Sequence, residues 1–324
     1  MCTAISYKSK SHHFGRTLDL ECSFFEKVII TPRKYNMHFR NISDINRHYA
    51  IIGIGIIEDE YPLYYDAVNE MGLGIAGLNF PGYAVYNQVN LNLKNIASFE
   101  FIPYILSLCK NVDEAIECFK KINITTANFS NKFTNSPLHW FIADKTKAIT
   151  VEPLDCGLKI HDNPVGVLTN NPTFDYQMFS LNNFSNLSPY SPSNKFSDSI
   201  KLTKYSRGLG ALGLPGDLSS NSRFIRACYT KLNSISPDIA NGDLTQFFHV
   251  METVSQTLGT VRLENNKLEQ TVYTSCCDTE KLIYFYTTYN NRQINAVKML
   301  NEDLESKKLI SYSINNCQKI NYIN

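Results

Sequence analysis

Long apolar runs are missing from this chain of 324 residues. Stretches such as residues 51–57 fall far short of the roughly 20 residues that a membrane-spanning helix needs. Polar residues at 8–13 interrupt the amino terminus at once, so no hydrophobic signal segment is expected there. Surplus charge is missing too: 31 Lys and Arg stand against 30 Asp and Glu, a formal net charge of +1. With no run of like charge, neither nucleic acid nor an anionic membrane is an expected partner. Metal-ligand spacings are also lacking. The seven histidines form no HExxH pattern, and the nine cysteines are irregularly spaced. That odd cysteine number reads as free thiols in a reducing compartment, so the expectation is a cytoplasmic protein with no metal and no cofactor.

What is present suits a soluble globular chain, with 43% apolar and 19% charged residues. Short or period-two apolar runs predict strands at 28–31, 49–57 and 74–80, with a turn at "NEMG" (69–72). Two helices are expected next. The second opens on Asn111 as N-cap, with Glu114 three residues on, and places Val112, Ala115, Ile116, Phe119 and Ile122 on one face. Strand patterns return in "LHWFIAD", "AITVEP", "GLKIHD" and "VGVLTN". Residues 181–196, rich in Asn, Ser and Pro, read as a surface loop. Helices are expected over 222–232 and from Asp243, the latter with Leu244, Phe247, Phe248, Met251 and Val254 on one face. Three closing strands follow, around 270–276, 281–287 and 293–298. Strand blocks bracketing helix pairs imply sheets packed between helical layers in one domain.

Cys2 poses the first chemical question. With Met1 removed, it offers a thiol and a free α-amine on one residue. Such an amine, with a reference pKa of about 7.7–8.0, can serve as a general base near neutral pH. A thiol beside a cation becomes a nucleophile. Arg16, on the expected return strand of the first hairpin, is the nearest candidate cation, and Asp19 is placed to orient the ammonium group. An ideal strand points Arg16 and Asp19 to opposite faces, so a bulge or strand end is expected there. Packing offers the other reading, with Cys2 a small buried residue and Arg16–Asp19 an ordinary ion pair. Spacing alone does not choose between them.

Other candidates point to structure. His12 and His13 read as a hairpin surface pair, His139 beside Trp140 as a satisfied core histidine, and Cys276-Cys277 as packing residues of a strand. Gly208, Gly210 and Gly213 satisfy G-x-G-x-x-G, but polar "TKYSR" precedes them and Pro215-Gly216 interrupts the helix that pattern requires. The stretch therefore reads as a loop leading into the helix that carries Arg223. Asn79 and Asn170 each end a strand-like run, where an amide is either a turn residue or an oxyanion donor.

Taken in order, "MCTAI", "FGRTLDLE", "YPLYYDAVNEMGLGIAGLNFPGY", "LHWFIAD", "GVLTNNPTFDYQ", "GLPGDLSSNSRFIRA" and "YTTYNNRQINAV" span nearly the whole chain. The chain resembles the choloylglycine hydrolase family, which contains bile salt hydrolases and penicillin V acylases. The resemblance implies an N-terminal nucleophile hydrolase: an α+β fold over residues 1–324, with two mainly antiparallel sheets between helical layers in an αββα sandwich. By that likeness Cys2 is the nucleophile freed by removal of Met1, with Arg16 and Asp19 beside the new terminus. Asn79 and Asn170 match positions around the oxyanion and nucleophile, and Arg223 matches the second arginine. Leu18, Phe24, Phe129, Phe133 and Leu138 are the implied walls of a steroid pocket, with core packing the other reading of each. Leu18 departs from the methionine or phenylalanine of many relatives. Asparagine at position 79 leans toward bile salt hydrolases, where tyrosine leans toward penicillin V acylases. The implied substrates are conjugated bile acids, cleaved through a Cys2 thioester by a homotetramer without cofactor. Two other readings use the same scaffold: an acylase for penicillin V or another N-acyl amide, and a catalytically silent binder of bile acids or fatty acids.

Overall fold

Alternating apolar residues at the start of the chain fold back on themselves as a hairpin that lies inside one large sheet, with a second large sheet facing it and a small two-stranded sheet beside them. The computed structural model describes residues 1–264 and 266–324. In chain order the first strands are β1 (Cys2–Lys8), β2 (His12–Leu20), β3 (Lys27–Thr31), β4 (Ile51–Glu58), β5 (Tyr61–Asn69), β6 (Gly74–Asn79), β7 (Lys94–Ala97) and β8 (Ile122–Thr125). Next come β9 (Leu138–Ala143), β10 (Ala148–Leu154), β11 (Gly157–Asp162), β12 (Val167–Leu168), β13 (Val261–Arg262), β14 (Leu268–Asp278), β15 (Ile283–Thr288), β16 (Asn291–Lys298) and β17 (Ile310–Ser313). The helices are α1 (Phe101–Leu108), α2 (Val112–Phe119), α3 (Phe174–Ser180), α4 (Ser220–Asn233) and α5 (Gly242–Glu252).

Two large antiparallel sheets result. One runs β12-β1-β2-β14-β15-β16, with β13 on β14; the other runs β11-β10-β9-β6-β5-β4-β3-β17. They face each other across a hydrophobic core, where Phe14 of β2 stacks on Phe141 of β9 with ring centroids 5.6 Å apart. Helices α4 and α5 cover the outer face of the first sheet, joining the inter-sheet core through Phe224, Phe247 and Met251. Helices α1 and α2 cover the second, Phe101 lying on Trp140 at 4.0 Å. The αββα expectation holds, because each sheet carries apolar residues on both faces and must be covered twice. Among the described residues no helix is long and apolar enough to cross a membrane.

Local chemistry sets the element ends. The Asn111 side chain caps α2 by accepting the Glu114 N–H at 2.9 Å, and Ser219 caps α4. Several expectations need correction. Ile122 does not extend α2; it starts β8, pairing in parallel with Lys94 of β7. The "VGVLTN" run yields only the short β12. Residues 181–196 open on a 3₁₀ turn, Leu181–Phe184, before continuing as surface loop. Helix α3 and strands β7 and β17 were not expected from the pattern.

His12 and His13 are not a surface pair. Strand β2 is central, covered on both edges by β1 and β14, so both side chains are buried. His12 sits between the Ser6 hydroxyl at 2.8 Å and the Thr279 hydroxyl at 2.9 Å. Burial, followed by the neighbouring His13, lowers the His12 pKa to about 4, and burial likewise lowers that of His13. A histidine whose pKa is depressed by folding binds its proton in the unfolded chain first, so stability is lost as pH falls below about 6.5 toward 4. Between pH 6 and 5 the unfolding free energy should drop by about 1 kcal/mol through His12, with His13 acting in the same direction. Chemical denaturation across that window checks this, and a His12→Gln variant should show a shallower slope. Equal slopes in the two proteins would contradict it.

Candidate active site

The hairpin register decides which side chains meet. Cys2 lies opposite Leu18 and Ala4 opposite Arg16. Cys2, Arg16 and Leu18 therefore share the face turned to the second sheet, while Thr3, Thr17 and Asp19 share the face turned to α4. The bulge or strand end expected to bring Arg16 and Asp19 to one face is absent: β2 pairs regularly with β1, and the irregularity here belongs to its other neighbour. It lies in β14, where Val272 is the extra residue between Thr271, opposite Asp19, and Tyr273, opposite Leu18. Arg16 and Asp19 consequently stay on opposite faces, and Cys2 is held from both.

On the inner face, Arg16 donates from Nη2 to the Cys2 sulfur, from Nη1 to the carbonyls of Tyr65 and Gly77, and from Nε to Thr17 O at 3.1 Å. Burial pulls its pKa down, but electrostatic interaction with Cys2, Tyr273, Asp66 and Asp19 as its neighbours outweighs this and holds it above the ordinary value. On the outer face, Arg223 of α4 donates to Cys2 O at 2.5 Å, Thr3 Oγ1 at 2.7 Å, Asn170 Oδ1 at 2.8 Å and Leu218 O at 3.1 Å. Burial lowers its pKa, against the charges of Asp19, Cys2 and Glu269; an arginine remains protonated either way. Asp19 accepts the Thr271 hydroxyl at 2.7 Å and the Thr17 hydroxyl at 3.2 Å, and stands 3.9 Å from Arg223 Nη1.

Asn170 follows β12, which pairs with β1 and so delivers the amide to the Cys2 main chain. Its Oδ1 accepts the Cys2 N–H at 2.8 Å and its Nδ2 donates to Asn79 O at 2.8 Å. One hydrogen of that NH2 group is thus used, and its orientation is fixed by donors on one side and an acceptor on the other. Phe80 N–H is given to Pro137 O at 2.8 Å. That N–H is therefore already engaged. Met1 precedes Cys2, its ammonium group bound to Asp19 O at 2.6 Å and Glu269 Oε1 at 2.7 Å.

A cavity of about 320 Å³ opens beside the sulfur. Leu18, Phe24, Phe129, Phe133 and Leu138 all line it, together with Cys2, Arg16 and Asn79. Its walls also include Phe99, on the 3₁₀ turn before α1, Ile102 in the first turn of α1, and Tyr65. Cys2, Arg16, Asp19, Asn170 and Arg223 are each at most 3% exposed, so the reacting group sits at the closed end of the cavity. Sequence reasoning missed Glu269, the Tyr65 and Gly77 carbonyls, and the Phe99–Ile102 wall. Carbonyl ligands leave no mark in a sequence, whereas "FEFIPYIL" after β7 is an apolar helix start that a pocket wall could have been read from. Among the described residues no cluster of three or more His, Cys, Asp or Glu is arranged to hold a metal ion.

Comparison with known proteins agrees with this geometry. A family model described as linear amide C–N hydrolases, choloylglycine hydrolase family, matches residues 2–312. The chain is 52% identical over 314 residues to a bile salt hydrolase/transferase of Lactiplantibacillus plantarum, covering 97% of each. It is 39% identical to one of Clostridium perfringens over the full length of both. The crystal structure of a cysteine-to-alanine variant of the conjugated bile acid hydrolase from Clostridium perfringens matches with a TM-score of 0.93 at 37% identity, each chain covered in full. Penicillin V acylase from Agrobacterium tumefaciens shares the fold, with a TM-score of 0.74 at 20% identity over 96% of this chain and 90% of that one.

Arg223 binds four acceptors and faces a buried carboxylate, so its removal leaves Asp19 uncompensated in the interior. Arg223→Ala should lower the unfolding free energy by about 3–5 kcal/mol. Denaturant titration reads this directly; an unchanged midpoint would show that the arginine carries no stability.

Proposed function

We propose that this chain, which belongs to the choloylglycine hydrolase family of linear amide C–N hydrolases, is a bile salt hydrolase that releases glycine or taurine from conjugated bile acids through a thioester on Cys2. The observation that carries the reading is the meeting of the Cys2 sulfur, the Arg16 guanidinium and the Asn170 amide at the closed end of an apolar cavity. A steroid needs such a cleft, with polar groups only where the scissile amide lies.

The chemistry follows from the parts. Removal of Met1 turns the Cys2 N–H now held by Asn170 Oδ1 into a free α-amine. That amine, directly or through a water, takes the thiol proton, and the sulfur attacks the amide carbonyl. Arg16 stabilises negative charge on the sulfur. The second Asn170 Nδ2 hydrogen and the Asn79 N–H serve the oxyanion, each such donor contributing about 3–4 kcal/mol to the barrier reduction. The proton passes from the α-amine to the leaving glycine or taurine nitrogen, and water then hydrolyses the thioester. Asp19 and Arg223 act from the outer face, holding the main chain of Cys2 in place. An amine in place of water would complete acyl transfer instead; the relative at 52% identity is named for both outcomes. Family likeness also supports a cytoplasmic homotetramer.

Turnover of glycocholate, taurocholate and penicillin V by the purified enzyme tests the reading. Free glycine or taurine is expected, with penicillin V the poorer substrate. Cleavage of penicillin V alone would assign an acylase, and no turnover at all a silent binder. Cys2→Ala should abolish hydrolysis with its melting temperature kept, and Asn170→Ala should lower kcat about 10²–10³-fold. Substantial activity in the alanine variant at position 2 removes Cys2 from the mechanism.

A further inference from the structure

One buried carboxylate near the site has no part in the chemistry above. Asp66 of β5 is 1% exposed and faces the first sheet. It accepts the Tyr273 hydroxyl at 2.7 Å, the Ser275 hydroxyl at 2.9 Å and the Tyr284 hydroxyl. Ser275 Oγ in turn accepts the Arg16 backbone N–H at 3.1 Å, and Tyr65, the residue before Asp66, gives its carbonyl to Arg16 Nη1. The carboxylate is therefore tied to Arg16 from both sheets. Among the described residues the hydrogen-bond partners of the guanidinium itself are three carbonyls and the sulfur, with no carboxylate among them. A cation buried in that way needs a counter-charge near by. Asp19 lies on the other face of the hairpin, engaged with Arg223.

We propose that Asp66 is the counter-charge of Arg16, a positioning residue that sets how strongly the guanidinium acts on the Cys2 sulfur. Three hydroxyl donors converging on one carboxylate favour its anion. Burial pushes the Asp66 carboxyl up, while Arg16 and the Tyr284, Tyr273 and Ser275 hydroxyls pull it down; the net direction is upward. The remaining titratable groups around the pair stay neutral, because burial raises the phenols of Tyr65, Tyr273 and Tyr284 and the Cys277 thiol. Among the described residues, Asp66 and Asp19 are the carboxylates with the largest pull on Arg16, and they compete with the Cys2 sulfur for its field. Neutralising Asp66 leaves the sulfur as the main anion facing the guanidinium on the inner face. The thiolate then forms at lower pH, and being more stabilised it attacks more slowly.

The inference rests on Cys2 being the nucleophile, and its test is kept separate from that reading. Iodoacetamide alkylation of the amino-terminal peptide, followed by mass spectrometry across pH, reads the Cys2 thiolate without any substrate. In Asp66→Asn the alkylation midpoint should fall by about one pH unit, the acid limb of kcat/KM should move with it, and kcat should drop several-fold. Tyr284→Phe, which removes one of the three hydroxyls, should shift the midpoint in the same direction by less, and it carries the test if Asp66→Asn does not fold. A folded Asp66→Asn enzyme with an unmoved midpoint would make Asp66 merely structural, and an upward shift would overturn the charge argument. Turnover by Cys2→Ala would instead overturn the nucleophile reading alone.

Discussion

Two guanidinium groups buried on opposite sides of one residue are the constraint around which this site is built. An arginine cannot shed its charge inside a protein, so each needs acceptors for its N–H groups and a counter-charge within reach. Arg16 draws its acceptors from the second sheet, at Tyr65 and Gly77, and reaches the Cys2 sulfur. Arg223 draws on the Cys2 carbonyl, Thr3 and Asn170. The side chain and the main chain of Cys2 are thereby held by different cations. Backbone approach makes this possible: a Cβ at Gly15 would stand 2.1 Å from Ser275 O, so only glycine lets β14 close on β2 beside Arg16.

The same arrangement explains where the cavity lies. Leu18, opposite Cys2, shares its face and forms the wall next to the sulfur. The ring-rich segments at Phe24, Phe99 and Phe129–Phe133 complete an apolar enclosure away from the charged end. Arg40 lies over the rings of Phe99 and Phe129 at 5.9 and 5.5 Å and donates to Phe129 O, tying the loop that carries Phe129 to the rest of the wall. Charge is concentrated at the reacting end, and the rest of the lining recognises shape.

Much of this was legible in the sequence. Period-two runs predicted most strands of both sheets, Asn111 and the Asp243 region marked two helices, and the ordered motifs pointed to the family. The residues Cys2, Arg16, Asp19, Asn79, Asn170 and Arg223, far apart in the chain, do come together in space. What was illegible depends on register and on main-chain atoms. The burial of His12 and His13 follows from β2 becoming a central strand, which local pattern cannot reveal. Arg16 and Asp19 stay on opposite faces and reach Cys2 from both sides, so no bulge in their own strand was needed; the one at Val272 belongs to β14. Asp66 lies in a strand of "YPLYYDAVN" where nothing local distinguishes a buried carboxylate from a surface one.

The central claim is that one residue supplies both nucleophile and base. The mass of the amino-terminal peptide, taken from enzyme quenched in acid during turnover of a conjugated bile acid, tests this most directly. The peptide should begin at Cys2 and carry the bile acyl group on that residue. Met1 still attached to fully active enzyme, or an acyl group found on any other residue, would contradict it.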